Sequence, residues 1–356
     1  MQGASEGGRR KLSQTKIEWA DKVWNPVSGC TKISEGCQNC YAERMSKRLA
    51  GRCGYPAEEP FKVTPHPEKL GEPLKWRKPL RIFVNSMSDL FHADVPDKFI
   101  INVLSMIAEA SHHTFLILTK RPERMRELLN HDTIANDVWL QTSRGVNAER
   151  SPWPLPNLWL GVSAENQAAA DERIPILLQT PAAVRFVSVE PMLSEVNLSR
   201  YLKRPICKHW GRNGDPNIYG RYFWGKQALV GAGWVGIDWV ICGGETGPGA
   251  RPMHPVWVRD LRDQCRVAGT PFFFKSFGEY VRVGECMNEE DDEEFYSKSS
   301  AAGTNVQRLN LQGGMGYHGP KSIYMQRIGK KRAGRELDGR TWEEFPGSGG
   351  QANDKG

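Results

Sequence analysis

Long apolar runs are missing from this sequence of 356 residues, and no stretch approaches the roughly 18 consecutive apolar residues of a membrane-spanning helix. The start, MQGASEGGRRKLSQTK, has neither the apolar core of a secretory signal nor the pattern of an amphipathic transit helix. The GxSxG, HExxH and P-loop motifs of common hydrolases and ATPases are also missing. We therefore expect a cytoplasmic protein without a membrane partner.

Disulfide bonds are not expected either. Eight cysteines in a reducing compartment are more typical of metal or redox ligands where they cluster. Acidic residues are slightly outnumbered, since 48 Lys and Arg against 41 Asp and Glu give a formal net charge of +7. This excess favours an anionic partner, so the composition permits nucleic acid as a partner without establishing it.

Short runs rich in β-branched and aromatic residues, with little polar alternation, predict strands that are buried on both faces. They are 22–25, 82–84, 114–119, 158–163, 184–190, 238–243 and 271–275. Helical patterns lie between them, for example at 96–110 and 255–268. This alternation predicts an α/β fold of parallel β/α units, as a complete or partial (β/α) barrel.

Two regions interrupt the alternation, an insertion at 203–236 and a stretch that runs from Glu285 to the end. The insertion interleaves aromatic residues with a set of basic ones: Lys203, Arg204, Lys208, Arg212, Arg221 and Lys226. Basic side chains follow phosphates and aromatic faces stack on bases, so the insertion is a candidate nucleic-acid surface; a loop that covers the barrel is the alternative. The expected organisation is a flexible N-terminus 1–15, a barrel 16–284, a C-terminal extension 285–346 and a disordered tail 347–356.

The predicted strands end in polar groups. The endings are Asn85 with Ser86, Thr119 with Lys120, Ser163 with Glu165, Glu190, Gly243 with Gly244 and Glu245, and Lys275 with Ser276. Ligand sites of parallel α/β folds lie at the C-terminal ends of the strands, so these groups indicate a site there. The alternative is that each strand end turns polar where it meets solvent, which explains one position more easily than six.

A cysteine motif, C-x6-C-x2-C, follows the first predicted strand and comprises Cys30, Cys37 and Cys40. Thiolates on a Gly- and Ser-containing loop are ligands for an iron–sulfur cluster or for zinc. Three ligands leave one iron of a [4Fe–4S] cluster open, whereas structural zinc needs a fourth ligand, for which Cys53 or His66 is available. Cys242 and Cys265 lie in a predicted strand and helix, where a buried apolar role is expected.

Three cysteines after the first strand of a parallel barrel resemble the radical S-adenosylmethionine enzymes. More closely, the chain is similar to an uncharacterised family of phage and bacterial proteins defined by a three-cysteine motif. This resemblance extends from Lys16 to Pro346 and rests on five blocks: IEWADKVWNPVSGCTKISEGCQNCYAE, VSVEPML, ICGGETGPGARPMHP, PFFFKSFGEY and GKKRAGRELDGRTWEEFP. The superfamily resemblance implies a [4Fe–4S] cluster on the three cysteines, S-adenosylmethionine on the open iron, and a reductant such as flavodoxin or ferredoxin.

The sequence departs from the superfamily pattern in three ways. The first cysteine gap is six residues instead of three, and Asn39 replaces the aromatic residue before the last cysteine. The Gly-Gly-Glu element also comes late, so the segment after the second predicted strand is assigned to the methionine amino group: Asn85, Ser86, Ser88 and Asp89. Gly243, Gly244 and Glu245 are assigned to cofactor or substrate; a tight turn is the alternative for the glycines.

Two strand-end charges are candidate catalytic residues. Lys275 follows three phenylalanines and could act as an acid or base or contact an anion, and Glu190 ends a buried strand. The alternative for both is a structural ion pair. Arg251 and His254 are further candidates for contact with a substrate phosphate.

Together these features predict a radical S-adenosylmethionine-type enzyme that acts on a nucleobase. The phage resemblance suggests rearrangement or isomerisation of a modified thymine in DNA hypermodification, which evades host restriction, with the base flipped out of the duplex. One alternative is a zinc- or cluster-stabilised nucleic-acid-binding module without turnover. The other is an iron–sulfur enzyme that acts on a small metabolite or nucleotide.

Overall fold

The computed structural model describes residues 15, 17–142, 152–202, 229–230, 233–234, 236–285, 305–314 and 322–347. The predicted flexible N-terminus lies almost entirely outside these ranges. So do the disordered tail, apart from residue 347, and all six basic residues of the insertion that were assigned to nucleic acid.

Strands and helices alternate along the described chain. The strands are β1 (Lys22–Trp24), β2 (Val27–Ser28), β3 (Thr64–Pro65), β4 (Arg81–Val84), β5 (Thr114–Thr119), β6 (Leu158–Ser163), β7 (Val184–Val189), β8 (Leu229–Val230), β9 (Gly233–Trp234), β10 (Trp239–Cys242), β11 (Phe272–Phe274), β12 (Tyr280–Glu285), β13 (Val306–Leu309), β14 (Ile323–Arg327), β15 (Glu336–Leu337) and β16 (Arg340–Thr341). The helices are α1 (Tyr41–Leu49), α2 (Asp97–Glu109), α3 (Pro122–Leu129), α4 (Ile134–Leu140), α5 (Gln167–Leu178), α6 (Pro255–Ala268) and α7 (Lys330–Ala333). Short 3-10 helices span Glu35–Cys37, Pro67–Lys69 and Pro73–Lys75.

The main sheet has seven parallel strands in the order β1-β4-β5-β6-β7-β10-β11. Each strand lies beside the one that precedes it in this sheet. Crossovers between parallel strands are right-handed as a rule, and an unchanged direction along the sheet puts their helices on one face. Within the described residues β1 and β11 do not pair, so the barrel is partial. The predicted α/β fold with a parallel barrel is therefore confirmed in its partial form.

One tryptophan shows that the sheet curves. The Trp19 ring lies 4.6 Å from the Phe83 ring on β4 and 6.3 Å from the Trp239 ring on β10. Strands four places apart in a flat sheet are separated by about 19 Å, more than one indole can bridge. The sheet therefore wraps around Trp19.

Side chains alternate along each strand between the inner and the outer face of the sheet. The inner face carries an aromatic and aliphatic layer around Trp19: Phe83, Leu116, Phe186, Trp239, Ile241 and Phe273. The outer face packs against the helices, for example Ile82 and Val84 with Ile100, Val103 and Leu104 of α2. Because the strands are covered on both faces, their sequences read as nearly continuous apolar runs.

The C-terminal part packs onto the barrel. Strands β12, β14 and β13 form an antiparallel sheet in that order, and β15 and β16 form a hairpin. Beyond the hairpin, Glu343 bridges to Phe273 of β11, and the Trp239 indole donates to the Glu344 carbonyl at 2.8 Å. None of the helices in the described part has the length and apolar character of a membrane-crossing helix.

Candidate cofactor and metal site

The motif cysteines lie on a loop at the C-terminal edge of the sheet, here called the cysteine loop (residues 30–40). Its start is fixed by a bridge between Gly29 and Ser88 and by a bond from the Cys30 N–H to the Phe61 carbonyl at 3.1 Å. Cys37 ends a 3-10 helix, and Cys40 is the N-cap of α1, where the helix dipole favours negative charge. All three thiols are free and partly exposed.

The thiols are coupled electrostatically, Cys30 with Cys37 directly and Cys37 with Cys40 through the Lys32 cation. Burial raises the pKa of Cys30 to about 11, and Asp89 and Cys37 add to that effect. The pKa of Lys32 is raised, first by its hydrogen bond to Glu43 and further by the Cys40 and Cys37 thiols. Burial alone would raise the pKa of Cys37, but backbone hydrogen bonds and the Lys120 cation hold it below its ordinary value.

An arginine on the loop after β5 contacts the first cysteine. Arg121 Nη1 lies 3.5 Å from Cys30 Sγ and 3.0 Å from Asp89 Oδ2, and Nη2 donates to the Thr31 carbonyl at 3.1 Å. Asp89 also accepts from the Thr119 hydroxyl at 2.7 Å and from the Lys120 N–H at 3.1 Å. Asp89 thus orients the arginine that contacts Cys30.

A buried ion triad lies beneath the middle of the cysteine loop. Glu165, which is 1% exposed, accepts from Lys120 Nζ and from Arg173 Nη1, each at 2.9 Å. Burial opposes ionisation, but these cations and the Ser34 hydroxyl lower the pKa of Glu165 to about 2. A Cβ on Gly36 would lie 2.9 Å from Lys120 Nζ, so the loop rests directly on the triad.

The loop after β10 reaches the other half of the cysteine loop. Glu245 accepts from Arg251 Nε at 2.9 Å, from Arg251 Nη2 at 2.8 Å and from Asn39 Nδ2 at 3.0 Å. Burial would raise the pKa of Glu245, but these hydrogen bonds together hold it below its ordinary value. The Glu245 side chain is therefore committed to protein groups, and its assignment to cofactor or substrate stays a prediction.

The two glycines before Glu245 differ in what they allow. A Cβ on Gly244 would lie 2.3 Å from the Phe277 carbonyl oxygen, so this glycine permits two loops to pack backbone against backbone. A Cβ on Gly243 would lie 3.3 Å from Lys275 Cβ and 3.5 Å from Glu190 Cδ. Gly243 thus shares the inner face of the barrel with the two candidate catalytic residues, and its ligand role stays a prediction.

Lys275 and Glu190 form an ion pair on that inner face. Burial lowers the pKa of Lys275, but the Glu190 carboxylate and, more weakly, Glu18 raise it overall. Lys275 is therefore held as a cation, which fits an anion contact or a structural pair better than a neutral base. Their side chains are 16% and 22% exposed, so both remain accessible to a ligand.

The segment assigned to the methionine amino group supports the start of the cysteine loop. Asn85 Oδ1 accepts from the Val27 N–H at 3.2 Å, and the Ser88 hydroxyl donates to the Val27 carbonyl at 2.8 Å. The Ser86 hydroxyl donates to Asn25 Oδ1 at 3.2 Å. The buried Asn85 Nδ2 has no partner among the described residues, which leaves a donor for a ligand. Amino-group binding by this segment stays a prediction.

The donor set differs in how well it suits zinc and an iron–sulfur cluster, the two metal groups that the sequence leaves open. Within the described ranges no three His, Cys, Asp or Glu side chains converge on one point as a single metal ion requires. His66 is instead bonded to the Ser28 hydroxyl at 2.8 Å. In a cluster each thiolate binds a different iron, so the sulfurs need not converge, and three accessible thiols on one loop fit a [4Fe–4S] cluster.

Three other residues that the sequence singles out have defined surroundings in the structure. Cys242 and Cys265 are fully buried, as expected, and burial raises the pKa of both thiols. His254 Nδ1 accepts from the Val256 N–H at 3.1 Å and caps α6. Sequence analysis missed Arg121 and Arg173, whose partners in the site come from other β/α units and carry no local signal.

Three solved structures of spore photoproduct lyase are similar to this chain. They are a cysteine-to-serine mutant at 10% identity and a TM-score of 0.36, a complex with dinucleoside spore photoproduct at 9% and 0.37, and a double mutant with bound AdoMet and the same dinucleoside at 10% and 0.38. Each match covers 91% of this chain, and 74%, 72% and 72% of the respective structures.

None of the curated proteins matches the sequence. A family model matches residues 14–346, which is most of the chain. The chain therefore belongs to the family described as "Protein of unknown function (DUF5131)".

Proposed function

We propose that this protein is a radical S-adenosylmethionine-type enzyme that holds a [4Fe–4S] cluster on Cys30, Cys37 and Cys40. The observation that carries the proposal is the position of three accessible thiols on one loop at the C-terminal edge of a partial parallel barrel. When bound, such a cluster with an open iron supplies an electron for reductive cleavage of S-adenosylmethionine.

The residues of this chain would bind and orient the reactants. Asp89 and Arg121 set the position of Cys30, and Glu245 with Asn39 does the same near Cys40. The Lys275 cation and the Glu190 carboxylate lie on the inner face of the barrel, where they would bind charged groups of cofactor or substrate. The aromatic layer around Trp19 fills the barrel beneath them. Asn85, Ser86, Ser88, Asp89, Gly243, Gly244 and Glu245 are the proposed neighbours of the cofactor.

For the substrate we propose a nucleobase, with rearrangement or isomerisation of a modified thymine in phage DNA as the specific reaction. The net charge of +7 and the basic aromatic insertion at 203–236 support an anionic polymer. The expected setting is the cytoplasm, of the host if the protein is phage-encoded, with flavodoxin or ferredoxin as reductant. Steep salt dependence of DNA binding, lost when the six basic residues are neutralised, is the expected result; no binding at low salt would contradict it.

The first test is the iron, sulfide and zinc content of anaerobically purified protein, with its visible absorption. We expect about four irons and four sulfides per chain, lost when Cys30, Cys37 and Cys40 are all replaced by Ala. Cys53→Ala is the matched control, because Cys53 is an exposed free cysteine outside the motif, and it should keep the iron. Stoichiometric zinc without iron would reject the radical mechanism and favour a binding module.

A turnover test then separates the substrate classes. Reductive cleavage of S-adenosylmethionine is expected with the reduced protein, and it should be faster with polymer DNA than with free nucleosides. The reverse order would favour an enzyme that acts on a small nucleotide.

A further inference from the structure

A single arginine joins the loop after β10 to the cysteine loop. Arg251 Nη1 lies 3.3 Å from Glu35 Oε1 and 3.2 Å from Gln38 Oε1, and Nη2 donates to the Glu35 carbonyl at 3.2 Å. All these acceptors lie between Cys30 and Cys40, and they flank Cys37 on both sides. The guanidinium therefore spans the stretch of loop that carries Cys37.

Arg251 is itself held in one orientation. Glu245 receives a bidentate pair of bonds from its Nε and Nη2, and a third bond from its backbone N–H at 2.9 Å. Bidentate Arg–carboxylate pairs are geometrically specific, and Glu245 is only 6% exposed. The guanidinium is thus fixed on Glu245 through Nε and Nη2, while Nη1 and Nη2 reach the cysteine loop.

Asn39 provides a second connection between the same two loops. Its Nδ2 donates to Glu245 Oε2 at 3.0 Å and to the Gly249 carbonyl at 2.7 Å. Asn39 precedes Cys40 and Gln38 follows Cys37, so each thiol of the C-x2-C half has a neighbour bonded to Glu245 or to Arg251. The Cys30 end is held separately, by Arg121 and Asp89.

We propose that Glu245 and Arg251 act as positioning residues, a clamp that fixes the Cys37–Cys40 half of the cysteine loop. The purpose of the clamp, which is to position cluster ligands, rests on the proposed function. The contacts that form the clamp are present in the chain without metal. The late Gly-Gly-Glu segment would then position the ligands of the cluster through Glu245 and Arg251, without contacting the cluster.

The test without metal is alkylation by iodoacetamide of the full-length chain treated with a chelator, followed by peptide mass spectrometry. Arg251→Gln should raise the alkylation rate of Cys37 and Cys40 relative to Cys53 by about tenfold, because charge-assisted bonds that hold the loop closed are lost. The buried Cys242 and Cys265 should stay unreactive, which shows that the barrel remains folded. Arg259→Gln is the matched control, since it removes an Arg–Asp338 pair far from the motif in sequence.

Two further variants test the orientation by Glu245. Glu245→Gln should reproduce the effect of Arg251→Gln, and the double variant should be no worse than either, because the two residues act as one unit. Arg251→Lys should give an intermediate rate, since an ammonium cannot replace the bidentate fork. If Arg251→Gln also makes Cys242 and Cys265 reactive, the variant has lost its fold. Arg251→Lys must then show the increase in alkylation at Cys37 and Cys40 alone.

Wild-type alkylation rates at Cys37 and Cys40 in these variants would overturn the clamp. A second readout is the iron content and the electron paramagnetic resonance spectrum of the reduced protein. Arg251→Gln should lower the iron content and broaden the spectrum, and Arg251→Lys should recover both in part. If wild-type protein takes up no iron, the proposed function fails while alkylation still decides the clamp. Weaker binding of S-adenosylmethionine by Glu245→Gln, with unchanged alkylation, would show direct cofactor contact instead.

Discussion

Glu165 is a buried carboxylate that supports the middle of the cysteine loop. It is almost completely buried, yet it stays ionised because Lys120 and Arg173 both donate to it. Removing one partner of such a cluster leaves uncompensated charge in a low-dielectric setting. The loop above it, through Ser34 and Gly36, depends on this local balance of charge.

This balance predicts a pH-dependent stability difference. The pKa of Glu165 in the folded protein is about 2, below the ordinary value of 4.5, so its stabilisation is present above pH 4.5 and is lost as the pH falls toward about 2. Glu165→Gln should lower the free energy of unfolding at neutral pH by about 3 kcal/mol, and the difference from wild type should shrink between pH 4.5 and pH 3. Urea denaturation at several pH values measures it.

Glu172→Gln on the exposed side of α5 serves as the control and should change stability little at any pH. A Glu165→Gln difference that does not vary with pH would show that the triad does not keep this carboxylate ionised.

Among the elements, the strands and the long helices were predictable because burial on both faces leaves a plain signal in the sequence. The predicted strands at 114–119 and 158–163 coincide with β5 and β6, and the predicted helix at 255–268 coincides with α6. Gly269 stops α6 in a left-handed conformation, with φ of 67°. At these places the spacing of apolar residues and the helix-capping residues were sufficient to predict the elements.

The contacts between elements were not predictable in the same way. Arg121 and Cys30 are 91 residues apart, and Arg251 and Glu35 are 216 apart, so neither pair leaves a local pattern. Glu245 was assigned to a ligand from its neighbours in sequence, whereas in the structure it is bonded to Arg251 and Asn39. The sequence predicts that the cysteines are ligands, whereas the groups that surround them are visible only in the fold.

The inner face of β6 offers a test at the contact between two strands. A Cβ on Gly161 would lie 2.5 Å from the ring of Phe186, which is fully buried on β7. Gly161→Ala should therefore destabilise the protein by about 2 kcal/mol through overpacking, measured by urea denaturation. Gly71→Ala is the control, because nothing lies within 4 Å of its Cβ, and it should have little effect.

Replacing Phe186 by Leu in the Gly161→Ala background should recover part of the loss, because the smaller side chain relieves the clash. Unchanged stability of Gly161→Ala alone would mean that the inner face is less tightly packed than the structure indicates.

Residues from near the two ends of the described chain pack around the barrel. Glu18 pairs with Lys330 at 2.8 Å, and Phe345 lies 5.2 Å from Trp239 and 5.5 Å from Phe273, measured between ring centroids. Residues from near both ends of the described chain thus cover the same aromatic layer. The C-terminal segment is part of the barrel core.

Phe345→Ala should accordingly destabilise the whole protein by about 2 kcal/mol and change the near-ultraviolet circular dichroism of the buried tryptophans. Val267→Ala is the control, since Val267 is 85% exposed on α6. A normal unfolding midpoint and an unchanged spectrum for Phe345→Ala would show that the segment only lies over a barrel that is already complete.

This arrangement has a consequence for synthesis on the ribosome. The seven parallel strands emerge in the order in which they pair, so a nascent chain can assemble the sheet strand by strand. The base of the barrel, however, stays open until residue 345 has been translated, and Trp239 and Phe273 remain uncovered until then. We expect the nascent barrel to engage chaperones through this aromatic surface during that interval.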